Sequence, residues 1–165
     1  MKRTGEELSR AISRLSKWIA CLGLLLMTSI IAVQVFSRYV LNDSPVWAEQ
    51  AALLLMIWYV FIAAAAGVRE GFHIRIGVLA DSLSAGPRRL VQLLSHALVA
   101  VFGVAMAVYG VMLAIATWDH VIPTLGLSRG FAYIPIAISG VLIAGFATEH
   151  LVAVVRAREV KPLWS

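Results

Sequence analysis

Charge is missing from four long stretches of this 165-residue sequence, and the whole chain contains a single cysteine and only 14% charged residues. With one cysteine the chain cannot build an internal disulfide framework or a cluster of thiolates around a metal. Cys21 lies inside an apolar run and reads as a small packing residue. The scarcity of ionisable groups excludes more. An enzyme needs an activated nucleophile, metal-binding carboxylates or an acid–base pair gathered in one place, whereas the apolar runs offer only Gln34, His96 and scattered Ser and Thr. The net charge is +5, yet no basic stripe with interleaved aromatics marks a nucleic-acid surface. Internal repeats and low-complexity tracts are absent too, apart from four successive alanines at 63–66.

What fills the chain instead is hydrocarbon: 61% of residues are hydrophobic and the mean hydropathy is +0.87, far beyond an ordinary soluble domain. Uncharged runs lie between Lys17 and Arg38, between Glu49 and Arg69, between Arg89 and Asp119, and from Gly130 to Thr148. A helix of about 20 apolar residues crosses a hydrocarbon core of ~30 Å. Lipid offers no partner to backbone N–H and C=O groups, so each span must be helical, and the runs are too long and too uniformly apolar for alternating barrel strands. The expectation is an all-α integral membrane protein forming one domain over 1–165. Its helices fall near 18–37, 50–68, 97–117 and 130–148, with tails at 1–17 and 149–165 and an interfacial start to the third helix near His96. The run from Trp18 to Ser37 exceeds a signal-peptide core of roughly 7–15 residues and is read as a retained anchor.

Basic residues set the orientation. Lys2, Arg3, Arg10, Arg14 and Lys17 precede the first helix; Arg69, Arg75, Arg88 and Arg89 follow the second; Arg156, Arg158 and Lys161 follow the fourth. Only Arg38 and Arg129 fall in the other two loops, so the positive-inside rule places both termini in the cytoplasm. Neither tails nor loops are long enough to build a soluble core. Small residues spaced four apart, Gly103 with Ala107 and Gly140 with Ala144, create smooth strips for packing within the bundle or against a larger membrane partner.

Two loops stand out. In the first, Arg38, Tyr39, Asn42, Asp43, Ser44, Pro45, Trp47, Glu49 and Gln50 crowd the entrance to the second helix. There Ser44 can cap, Pro45 suits the first helical position, and Glu49 faces the positive helix end. Trp47 and Tyr39 suit the headgroup belt, where Arg38 and Glu49 can snorkel or pair. In the second, Arg69, Gly71, His73, Ile74, Arg75 and Ile76 follow directly on the helix. Gly71 can end it, Ile76, Val78, Leu79 and Leu83 suggest a short interfacial amphipathic helix, and His73 reads as a residue fixing the turn.

Together these stretches resemble the small membrane subunit of TRAP transporters, the DctQ-type family, whose R-Y-x-x-N-x-x-x-x-W-x-E-E pattern matches Arg38, Tyr39, Asn42, Trp47 and Glu49. A later R-x-G-x-H-I-x-V pattern matches Arg69, Gly71, His73 and Ile74, with Ile76 replacing valine; Gln50 departs from the family's second glutamate. The resemblance implies a bacterial inner-membrane subunit, not an enzyme, that packs beside a large permease subunit. A periplasmic binding protein would deliver an organic acid to that pair. It implies no cofactor in this chain, because sodium coupling and the substrate site would belong to the large subunit. The interface motif would comprise Arg38, Tyr39, Asn42, Pro45, Trp47, Glu49, Arg69, Gly71, His73 and Ile74.

Two other classes stay open. His73, His96 and His150, expected at helix ends, permit axial haem ligation in a redox anchor, and a self-contained channel or exporter would act without partners. Pro135 is expected to kink the fourth helix or loosen its outer end.

Overall fold

The structure is a computed structural model, and it describes residues 2–43, 45–71 and 85–155. Four helices dominate: α1 (Lys2–Val40), α2 (Ala48–Arg69), α3 (Ala85–Ala116) and α4 (Ile134–Val155). Each contains an apolar stretch long enough to cross a membrane. Between α3 and α4 lies a two-stranded antiparallel hairpin, β1 (Val121–Ile122) and β2 (Leu127–Ser128), followed by a 3-10 helix over Arg129–Ala132.

Helix α1 has 39 residues and so runs about 58 Å, nearly twice the thickness of a hydrocarbon core. The basic stretch before Trp18, read from the sequence as a tail, is its continuation. Three serines shape its contact face: Ser9, Ser13 and Ser16 share one side of the helix, with Ser13 and Ser16 buried. Small hydroxyls let that face lie close against the neighbouring helix ends, and Ser16 Oγ returns its proton to the Ile12 carbonyl at 2.9 Å.

Helix α1 packs along α2, α2 along α4, and α4 along α3, giving the spatial order α1–α2–α4–α3. Glycine decides the tightest seam. A Cβ on Gly103 of α3 would lie 2.6 Å from the Ala144 nitrogen of α4. One on Gly140 would meet the Ala107 backbone, so the small-residue strips are used up inside the bundle. The alanine run serves the same end, with Ala65 and Ala66 buried. Ala65, Val68, Ile143, Phe146 and Ala147 form the core, with Ile12, Val99 and Leu142 packed against it. Away from these seams large apolar side chains face outward, among them Leu22, Leu25, Phe36, Val101 and Ile115. Such a surface is stable only against lipid or another apolar protein face.

Pro135 does not kink a span. Helix α4 starts at Ile134 rather than near residue 130, which puts the proline in the first turn, buried, where its missing N–H belongs to a group that has no intrahelical acceptor anyway. The preceding 3-10 turn is capped by Ser128, whose Oγ accepts from Gly130 N at 3.1 Å.

Candidate functional site

Polar residues gather where the N-terminal part of α1 meets the last turns of α2 and α4. Helix α2 ends because Gly71 adopts φ +75 and sends its N–H to the Val68 carbonyl at 3.1 Å, the role its position suggested. That stop holds Arg69 and Glu70 in the seam. The Glu70 side chain is wholly buried; its Oε1 accepts from Lys17 Nζ at 2.8 Å and from Ser13 Oγ at 3.3 Å, and Arg69 Nη1 lies 3.8 Å away. Arg69 Nε donates to Ser9 Oγ at 2.9 Å, and Ser9 Oγ donates to Glu149 Oε2 at 2.5 Å. Two cations and two carboxylates thus meet on two serine hydroxyls, which is how charge is tolerated at low dielectric.

Histidines complete the junction. His150 Nε2 donates to the Arg69 carbonyl at 2.9 Å, fixing that ring's proton on Nε2. His96 of α3 stacks on it, centroids 5.1 Å apart and planes within 1°. Both had been expected as helix-end histidines, but His96 is only 4% exposed. The stacking also argues against an axial haem pair. Two axial ligands must aim ring nitrogens at one iron from opposite sides, whereas stacked rings point theirs sideways and His150 has committed Nε2 to a carbonyl. Arg69 Nη1 and His96 Nδ1 have no hydrogen-bond partner among the described residues. The junction holds no activated nucleophile; chemically it is a clamp joining all four helices. Of its members the sequence motif contained only Arg69. The rest had one legible signal, the spacing of Ser9, Ser13 and Ser16, which places three small hydroxyls on one helical face.

The outer loop contrasts with this. Helix α1 stops at Asn42, whose φ of 52 is left-handed, while the Ser37 carbonyl accepts both Leu41 N at 3.1 Å and Asp43 N at 3.2 Å. Asparagine is one of the few side chains that tolerate that conformation. Pro45 does not open α2. Its carbonyl accepts from Ala48 N at 3.1 Å in a turn, and Trp47 stands at the N-cap with no side-chain cap. Glu49 sits in the first turn, as expected. Tyr39 is 77% and Trp47 47% exposed. Arg38 and Glu49 are exposed and make no ion pair among the described residues. Ser44, His73, Ile74 and the amphipathic segment expected around Ile76 to Leu83 lie outside the described residues. The two motif stretches therefore occupy opposite ends of α2: the first is open to its surroundings, and of the second Arg69 is buried.

Comparison with known proteins agrees with this architecture. The family model described as tripartite ATP-independent periplasmic transporters, DctQ component, matches residues 27–157, which include both motif stretches. The C4-dicarboxylate TRAP transporter small permease protein DctQ of Vibrio cholerae is 33% identical over 94 residues, 57% of this chain and 38% of that protein's length. The ectoine TRAP transporter small permease protein TeaB of Halomonas elongata is 27% identical over 136 residues, 81% of this chain and 70% of that one. The sialic acid TRAP transporter small permease protein SiaQ of Vibrio cholerae is 29% identical over 122 residues, 72% and 70% of the two chains. With four membrane-spanning helices and a match over most of its length, this inner-membrane chain belongs to the DctQ-component family of tripartite ATP-independent periplasmic transporters, as a small permease subunit.

Proposed function

We propose that this chain is a static scaffold for a large permease subunit, and that the pair takes up an organic acid delivered by a periplasmic binding protein in a cation-coupled step. The observation that carries this reading is where the buried polar groups lie. Among the described residues, Ser13, Ser16, Arg69, Glu70 and His96 are buried near one end of the helices. Ser139 is the one buried polar residue away from that end among the described residues. A chain that moved a carboxylate and a cation by itself would need broken helices or polar groups converging at mid-membrane. This one invests its polar side chains in holding its own helices together, as a fixed reference for a moving partner must. In this scheme the termini are cytoplasmic, consistent with the basic residues around the polar junction, and the loop from Arg38 to Glu49 faces the periplasm. Three relatives named for three different substrates resemble the chain at similar identity, which fits selectivity residing in the other subunits.

The test is purification of the tagged chain from its native membrane in mild detergent, followed by reconstitution. The scaffold reading expects a large polytopic permease to co-purify, and expects uptake only from vesicles holding both subunits, binding protein and a cation gradient. Uptake by the small chain alone would overturn it.

A further inference from the structure

His96 and His150 tie α3 to α4 at the end of the helices that holds the polar junction, and the chemistry of this tie differs from that of the other contacts there. The rings lie 5.1 Å apart with planes within 1°, His96 is buried, and His150 Nε2 donates to the Arg69 carbonyl at 2.9 Å. Neither imidazole has a carboxylate partner among the described residues. His96 Nδ1 has no hydrogen-bond partner among them at all.

A neutral imidazole tolerates this setting and an imidazolium does not. Whichever nitrogen of neutral His96 carries the proton, both carry one in the cation, so Nδ1 becomes a buried, charged donor with no acceptor. The surroundings have no counter-charge to spare. From α4, Glu149 takes the Ser9 hydroxyl on Oε2; from α2 come Arg69 and Glu70; and from α1 comes Lys17, which pairs with Glu70 at 2.8 Å. These two cations and two carboxylates balance, so a proton added to the stack is a net positive charge at low dielectric, and it repels any proton on the facing ring.

The contacts on either side of the stack define what release would move. Toward the start of α3, Arg89 Nη2 donates to the Val155 carbonyl at 3.0 Å, an exposed bond that fastens the last turn of α4 to the same end of α3. Toward its middle, Gly103 stands too close to Ala144 for a Cβ. The stack thus lies between a weak exposed tie and the tightest seam of the pair. Parting of α3 from α4 runs from Arg89 to His96, about 10 Å of helix, and stops at Gly103.

We propose that the His96–His150 stack is a proton-sensitive latch: with both rings neutral it holds α3 against α4, and protonation of His96 releases the Arg89-to-His96 end of α3 while the rest of the bundle stays packed. The closed form binds fewer protons than the open one, so acid favours opening and the latch is shut at neutral and alkaline pH. It is a property of this chain and needs no partner subunit.

The test is backbone hydrogen exchange of the full-length chain in detergent at about pH 7.5 and about pH 5.5, which bracket ordinary histidine titration, read as protection factors so that the chemical exchange rate is divided out. Expected in acid is a fall of about tenfold over residues 89–96 with no change over 104–114. His96→Phe keeps a stacking ring that takes no proton and should stay protected at both pH values. His120→Gln, at an exposed histidine beside the outer hairpin, should open as the wild type does. Acid opening in His96→Phe would assign the response to Glu70 or Glu149 and overturn the latch, as would unchanged wild-type protection. Imidazole nitrogen NMR of the wild type gives a second check that needs no variant. A His96 that stays neutral until residues 89–96 lose protection supports the latch, and a doubly protonated His96 inside a still-protected segment overturns it.

Discussion

Arg69 and Ser9, 60 residues apart, meet at 2.9 Å, and because the same serine hydroxyl donates to Glu149, one small side chain ties the first, second and fourth helices together. Ser9→Ala removes both contacts and leaves the buried guanidinium short of a further partner. The expected cost is about 1–3 kcal/mol, the penalty for an unsatisfied buried polar group. Thermal unfolding in detergent, followed by tryptophan fluorescence, should show a lowered midpoint; an unchanged one would mean water replaces the hydroxyl freely.

Glu70 is the member both cations share. Glu70→Gln leaves the buried Arg69 and the partly exposed Lys17 facing each other across a neutral amide, at a cost of about 1–3 kcal/mol because water still reaches the lysine. Restoring balance with Lys17→Met in the same chain should recover part of that loss. Equal midpoints for the single and double variants would show that the pair does not act as a unit.

Glycines on α3 and α4 divide by position. Gly103→Ala drives a methyl to 2.6 Å from the Ala144 nitrogen, so the helices must separate, at about 1–3 kcal/mol. Gly145→Ala meets nothing and should leave stability unchanged or raise it by up to ~1 kcal/mol through helix propensity. Side-by-side melting curves of the isolated chain decide this.

At the end of α1, Asn42 is asked for a left-handed backbone. Asn42→Gly should be nearly neutral, whereas Asn42→Val should cost about 1–2 kcal/mol. If both behave alike, the motif asparagine serves something other than the turn.

The exposed outer loop makes a prediction in function rather than stability. Trp47→Ala and Glu49→Ala leave this chain's melting unchanged, since neither side chain is buried, but lower uptake by weakening assembly. Normal uptake with normal complex yield in both variants would remove them from the interface.

Much of this fold can be read from the chain alone because lipid enforces a simple rule: four charge-free runs become four helices. Gly71 was legible for the same kind of reason, since few residues can end a helix with positive φ. The polar junction was not. Ser9, Glu70, Glu149 and His96 each look ordinary in sequence, and only the order α1–α2–α4–α3 brings them to one place. Pro135 was half legible: of the two outcomes expected no kink forms, but the outer end of α4 does give way to a 3-10 turn that moves the helix start to Ile134.

The clamp at Arg69 also has an order in time. A ribosome delivers Ser9 and Arg69 well before Glu149 and His150, so a nascent chain with three helices in the membrane carries an arginine at its surface whose carboxylate-linked serine is half supplied and whose carbonyl lacks its imidazole. Seating the last helix closes all of these bonds together. The clamp around Arg69 therefore cannot close before the fourth helix is seated against the first and second.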